Sequence, residues 1–338
     1  MEGKTVYSFG NREADGNASM KAVLGGKGAG LAEMTRIGLP VPSGFTISTS
    51  VCENYYKNGR KYSDSVKKEV EEALKLLERR AGKKLGDKDD PLLVSVRSGA
   101  AISMPGMLET ILNLGLTDES VEGLAKKTNN RRFALDAYRR FIMMYGSTAK
   151  DIERKKFDEI LDEIKEKDTR KRLGRPKSEA ISDTDVNEEE LSELITEYKI
   201  LYKKEIKEDF PQSPVEQLWG AISAVFNSWM SAKAVKYREV EHIVGLKGTA
   251  VNVMQMVFGN KGRTSGTGVC FTRDPNSGKN EFYGEYLFNA QGEDVVAGIR
   301  TPIKLDEFAK EDSASYKELC NVREILEKHY RDMQDVEF

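Results

Sequence analysis

Apolar residues recur along this chain with two periods. At Val66, Val70, Ala73, Leu74 and Leu77 the spacing puts one apolar stripe on a helix over 66–81, with Ser63 or Asp64 placed to cap it and Gly82 to end it. The same period predicts helices over 28–36, over 215–232 around Trp219, Phe226 and Trp229, and over 315–333, whose stripe is Leu319, Val322, Ile325, Leu326 and Met333. Short alternating or β-branched runs predict strands at 43–48, 92–96, 249–258, 266–272 and 281–289. The run 92–96 delivers Arg97, Ser98 and Gly99 to a strand end, which is where open α/β sheets place ligands. Helices and strands mixed in this way define an α/β (α+β) class. Between 151 and 210 the pattern changes: 33 of 60 residues are charged, which predicts a solvated helical insertion with 171–187 as a flexible elbow.

Composition narrows the function. The chain has 338 residues, 39% of them hydrophobic, and 53 Lys+Arg against 55 Asp+Glu leave a net charge of −2. Enough apolar residues are present for more than one core, and the charge balance argues against a globally basic nucleic-acid binder. No apolar run approaches the ~20 residues of a membrane helix, so neither nucleic acid nor membrane is an expected partner. The first residues, MEGKTVYSFG, show no targeting segment, so a cytoplasmic setting is expected, with an organelle as the alternative. Three isolated cysteines and two histidines, His242 and His329, offer neither a disulfide framework nor a histidine-based metal cluster.

Candidate chemistry sits in the loops. Residues 25–30 (GGKGAG) precede a helix, and glycines there let backbone amides approach an anion while Lys27 adds positive charge. This is neither a Walker A loop nor GxGxxG, and alone it is as much a flexible turn as a phosphate site. Arg97 suits bidentate phosphate recognition or an ion pair that stitches the strand to a helix. Gly106 resembles a lid tip with Thr110 following it, and 264–268 (TSGTG) is a second glycine-rich turn. Of the adjacent Arg139 and Arg140 only one can face a given site, leaving the other as a surface charge. Asp335 and Glu337 would share one side of a strand, as paired metal carboxylates do, or be simply solvated.

Seven segments taken in order resemble the pyruvate phosphate dikinase family of phosphoenolpyruvate-utilising enzymes. They are GNASMKAVLGGKGAGLAEM, GLPVPSGFTI, DPLLVSVRSGAAISMPGMLETILNLGL, RRFALDAYRRF, GTAVNVMQMVFGNKGRTSGTGVCFTRDP, YGEYLFNAQGEDVVAGIRTP and KHYRDMQDVEF. The resemblance runs from about residue 5 to the end and is weakest across 151–210. It implies an ATP-grasp-like nucleotide-binding domain with a charged helical insertion. One lobe would comprise 1–117 with 206–247, a helical subdomain 118–205, and a second lobe 248–338. ATP and Mg²⁺ are the implied cofactors. Lys27 and Arg97 look like the principal ATP-phosphate ligands, Gly106 like the lid contact, Thr110 and Arg140 like further phosphate contacts, and Gly268 like a facing glycine. Met254, Gln255, Met256 and Val257 are similar to the adenine-holding hinge, acting largely through backbone groups. Glu337, with Asp335 beside it, matches the metal-binding glutamate.

The family reaction converts ATP, phosphate and pyruvate into AMP, pyrophosphate and phosphoenolpyruvate through a phosphohistidine. Its implied partners are a swivelling histidine domain and a pyruvate-binding barrel, in homodimeric enzymes. Here the chain stops at Phe338, before the family's Gln-x-Arg strand and without the histidine motif. The expectation is therefore most of one domain, ending on a loose or displaced terminus. Glu285 and Glu293 are the first alternative metal carboxylates. The related phosphoenolpyruvate synthases and rifampicin phosphotransferases carry a longer acidic stretch where this chain has SMPGM. Those relatives, or a non-catalytic nucleotide-binding module, are the competing readings.

Overall fold

The strand periodicity of the first 256 residues becomes one six-stranded sheet. Its strands are Val6–Gly10 (β1), Glu13–Ala14 (β2), Gly44–Ile47 (β3), Val94–Gly99 (β6), Thr110–Leu114 (β7) and Ala250–Gln255 (β8), in the order β2-β1-β3-β8-β6-β7. Lys84–Leu85 (β4) and Pro91–Leu92 (β5) form a separate short parallel pair. In this computed structural model, residues 3–292, 295 and 301–338 are described. Two units result, Met1–Met256 and Val257–Phe338. Every neighbouring pair in the six-stranded sheet runs antiparallel. The strand-end rule for open parallel sheets therefore does not locate the site, and the face of the sheet does. β8 is central because Val251 and Val253 are fully buried and both its edges are paired, with β3 and with β6. This pairing is why the first unit extends to Met256, past the residue 248 at which a second lobe was expected.

Helices surround the sheet. Lys21–Arg36 (α1), Thr49–Lys57 (α2) and Asp64–Ala81 (α3) come first, followed after β7 by Ser120–Thr128 (α4) and Arg131–Ala149 (α5). α3 is the clearest sequence expectation: Ser63 Oγ accepts from Val66 N at 3.4 Å, Gly82 ends the helix in the left-handed conformation, and Val66, Val70, Ala73 and Leu77 are buried. The expected helix over 215–232 is Pro214–Ser228 (α9), which stops short of 232 because Ser231 caps a second helix, Ala232–Val240 (α10), by accepting from Ala234 N.

The charged stretch holds Arg154–Ile164 (α6), Arg170–Leu173 (α7) and Glu188–Ile206 (α8). It is helical and most of its charged residues are exposed, as its composition suggests, but part of it is fastened inward. Arg139 of α5 is 4% exposed. Its guanidinium reaches Asp136 and Asp183 at 2.7 Å each, and Lys165 Nζ also meets Asp183. Arg132 donates to the carbonyls of Val186 and Asp183, and Arg175 pairs with Asp185. Asp183 and Val186 thus tie the end of this segment to α5, while 171–174 and 176–180 remain exposed. Arg139 is accordingly no surface charge, since positions three and four after Asp136 both reach its carboxylate.

The second unit is a four-stranded antiparallel sheet. Its strands are Gly266–Phe271 (β9), Tyr283–Phe288 (β10), Ile303–Lys304 (β11) and Asp335–Glu337 (β12), in the order β11-β10-β9-β12. Leu305–Glu311 (α11) and Ser313–Tyr330 (α12) accompany it. Cys270, Tyr286, Leu305, Phe308 and Leu319 form its core, with Val336 and Phe338 packed against them. The expectation of a displaced terminus is corrected. Phe338 exchanges two backbone hydrogen bonds with Gly268 at 3.0 Å, and its ring stacks on Phe308.

Burial by itself would raise the Asp183 carboxyl, but Arg139 and Lys165 overcome it and hold the group well below the ordinary carboxylate range. That contribution to stability is present above the unfolded value of about 3.9 and fades as pH falls below it. Removing one partner of a buried ion pair typically costs about 3–5 kcal/mol. Arg139→Ala should show a loss of that order in chemical denaturation at neutral pH, together with faster proteolysis within 171–187. Neutral-pH stability and protease resistance equal to those of the parent would show that the network does not hold the segment.

Candidate functional site

α1 is broken near its start. Gly25 adopts φ 69° and ψ 173°, so the helix restarts at Gly26. A side chain at Gly25 would place Cβ 1.7 Å from the carbonyl oxygen of Gly99, and the Gly26 amide donates to Ala100 O at 2.9 Å. The helical stretch 26–36 therefore begins against the end of β6. The first amides of a helix lack intrahelical partners and form its positive end, and Lys27 stands in that turn. A Cβ at Gly28 would come 2.8 Å from Thr46 Cγ2 and 2.9 Å from Asn252 Oδ1, so only glycine lets the turn lie this low on the sheet.

Register defines what lies on that face. Thr46 pairs with Asn252, Asn252 with Arg97, and Arg97 with Thr110. Directly opposed residues share a face, so Thr46, Asn252, Arg97 and Thr110 make a polar row across four adjacent strands. Thr46 Oγ1 donates to Asn252 Oδ1 at 2.8 Å. Arg97 Nε and Asn252 Nδ2 are buried and find no acceptor among the described residues. A buried donor left unsatisfied costs about 1–3 kcal/mol, so two of them side by side are a demand for an incoming acceptor. The loop from β6 to β7 is anchored by buried Met104, while its tip at Gly106 is exposed, with φ 70° and open space around it. Beside Thr110, Glu109 is held by Lys233 Nζ at 2.6 Å.

Thr46 and Asn252 were not among the expected site residues. A polar residue flanked on both sides by apolar ones within a strand is the signal that marks each of them. The structure brings Lys27, Arg97 and Thr110 into one region of the first unit. Arg140 lies on α5, with Nε donating to Asp136 Oδ2 at 3.0 Å. At the end of β8 the amides of Gln255 and Met256 are committed to Ser43 O and Leu93 O, and Ser95 Oγ donates to Met254 O. Any backbone recognition along this hinge must therefore use other groups. Val257, largely exposed, opens the second unit. Two surface pockets of about 450 and 510 Å³ lie elsewhere and include none of these residues.

In the second unit Gly268 is central to β9, bonded to Phe338. Asp335 and Glu337 are exposed and oppose Phe271 and Val269, so they share a face, as the strand reading expects. Glu285 opposes Val269 from the other side and lies on that face too, whereas Glu293 is outside the described residues. Among the described residues no three His, Cys, Asp or Glu side chains gather into a metal site. Magnesium usually takes one or two protein carboxylates and completes its shell with water and phosphate oxygens. Asp335 and Glu337 have the donor chemistry for that mode, though not for an all-protein cage.

The antiparallel sheet with a glycine-broken helix laid on its polar face, followed by a smaller α+β unit, is the architecture of an ATP-grasp-like nucleotide-binding domain. Comparison with known proteins is more specific. The chain belongs to the family described as pyruvate phosphate dikinase, AMP/ATP-binding domain, whose family model matches residues 21–65 and 60–315. It is 51% identical over 336 residues to a pyruvate, phosphate dikinase of Clostridium symbiosum, covering 99% of this chain and 37% of that protein. A chloroplastic pyruvate, phosphate dikinase of Mesembryanthemum crystallinum is 51% identical over 335 residues, covering 99% of this chain and 34% of the relative. Pyruvate, phosphate dikinase 2 of Zea mays is 50% identical over 333 residues, covering 98% and 36%. The chain thus spans about a third of the length of these curated relatives. Among the described residues no helix is long and apolar enough to cross a membrane.

The Gly25–Gly99 approach can be tested directly. Gly25→Ala is expected to cost about 3 kcal/mol, and to lower nucleotide binding, because it must push α1 off β6. Gly30→Ala, in the same helix with nothing near its Cβ, should raise stability by about 0.5–1 kcal/mol. Equal melting temperatures for the two variants in calorimetry would contradict the packing described.

Proposed function

We propose that this chain binds Mg-ATP and donates phosphoryl groups in the pyruvate phosphate dikinase reaction, ATP, phosphate and pyruvate yielding AMP, pyrophosphate and phosphoenolpyruvate. The observation that carries the reading is Arg97, whose buried Nε lacks an acceptor, set beside the amide-rich start of the 26–36 helix by the Gly26–Ala100 hydrogen bond. Phosphoryl transfer demands alignment and charge neutralisation more than covalent chemistry from the protein. Lys27 and Arg97 would neutralise the phosphates, the Gly106 loop would cover them, and Thr110 would add a hydroxyl contact. Met254, Gln255, Met256 and Val257 would bound the adenine and Gly268 a phosphate. A contribution from Arg140 would share its guanidinium with Asp136. Glu337 and Asp335 would hold magnesium, which supplies charge neutralisation at the phosphate oxygens.

The phosphoryl acceptor in this proposal is a histidine of a swivelling domain, and phosphoenolpyruvate forms on a separate barrel, in a homodimeric enzyme. The cytoplasm is the proposed compartment, with an organelle for forms like the chloroplastic relatives. Hydrogen bonds to charged groups contribute about 1.5–3 kcal/mol. Arg97→Ala should therefore weaken Mg-ATP binding roughly tenfold or more in titration calorimetry, whereas Lys171→Ala, in the charged helical region, should leave it unchanged. A folded parent chain that binds no ATP at millimolar nucleotide would refute the proposal.

A further inference from the structure

We infer that Asn252 is a further anion-binding residue, its carboxamide Nδ2 donating to a phosphate oxygen held beside Arg97. The inference rests on the nucleotide-binding reading above and adds to it a neutral donor from the central strand.

Asn252 is 2% exposed and sits between the fully buried Val251 and Val253. A polar side chain in such a place is retained when both ends of it are used. One end is used: Thr46 Oγ1 donates to Oδ1 at 2.8 Å, which fixes the carboxamide with its amino edge turned the other way. The Nδ2 end finds no acceptor among the described residues. The space beside it is kept clear, since a Cβ at Gly99 would lie 2.7 Å from Nδ2. Directly opposite on β6, Arg97 Nε is in the same condition. Opposed residues of an antiparallel pair stand roughly 5 Å apart, and the positive start of the 26–36 helix lies over the same strands, with Gly28 close to Asn252 Oδ1. No carboxylate among the described residues pairs with Arg97. Donors converge here from a guanidinium, a carboxamide and a helix terminus, and the ligand class that satisfies all three is an oxyanion of the phosphate type. Thr46 is the positioning residue, acting through Asn252.

Asn252→Asp separates this role from a packing role. The new carboxylate would pair with Arg97 in the unliganded protein, so its melting temperature should equal or exceed that of the parent. The same charge repels the anion, so Mg-ATP and inorganic tripolyphosphate should each bind at least tenfold more weakly in calorimetry, while adenosine binds as before. Asn252→Ala, which removes Nδ2 without adding charge, should weaken tripolyphosphate severalfold and likewise spare adenosine. Parent-like tripolyphosphate binding in either folded variant overturns the inference. So does a loss that strikes adenosine and tripolyphosphate equally and follows a lowered melting temperature, because that pattern marks a structural asparagine. A parent chain that binds neither Mg-ATP nor tripolyphosphate sinks the nucleotide-binding reading itself, and this inference with it.

Discussion

Backbone against backbone, at Gly25 and Gly99, is the contact on which the rest of the site depends. The carbonyl of Gly99 occupies the space where a side chain at position 25 would stand, and the next amide closes a hydrogen bond onto Ala100. Because the approach is so close, the helix must break at Gly25 and restart over the sheet. Its restarted first turn then lies against the face that Arg97 occupies, with the Gly26 amide already bonded to Ala100. Electrostatics follows from sterics in this order: without the missing side chains there is no positive helix terminus beside the arginine, and without that terminus the buried guanidinium would be an isolated cost.

A different balance governs the charged region after α5. Charge density of this kind normally marks a solvated surface, yet Arg139 draws Asp136, Asp183 and, through Asp183, Lys165 into one buried cluster. Capping reinforces it, since Asn187 and Glu190 bond reciprocally at the start of α8 and Ser182 with Asp185 form the same motif one turn earlier. Most charges of the region still face solvent, and the few that turn inward are matched.

Much of this was legible in the sequence, and the limits are instructive. α3 could be read because its stripe, its cap and its terminal glycine are all local signals. β8, β9 and β10 were legible from alternation, and the glycine turn from composition. What local signals cannot carry is register. Asn252 looks like an interruption of an apolar strand until it is known to oppose Arg97 on one side and Thr46 on the other. Arg139 was misread for the same reason, because its second carboxylate comes from Asp183, 44 positions away. The close of the chain was misjudged because the docking partner of Phe338 is Gly268, whose lack of a side chain leaves room for the ring.

The placement of β8 has a consequence for how the protein is made. In the order β2-β1-β3-β8-β6-β7, the strands before residue 48 and those between 94 and 114 touch within the sheet only through a strand at 250–255. During synthesis the two halves must wait, each with an unpaired edge, until residues 115–249 have followed β7 out of the ribosome. Exposed edges of that kind recruit other strands, and pairings this distant in sequence form slowly. The helices made in the interval, α4 to α10, are what can shield the nascent sheet. The strand that finally closes it is also the one that carries Asn252, so the sheet and its polar face are completed in a single event.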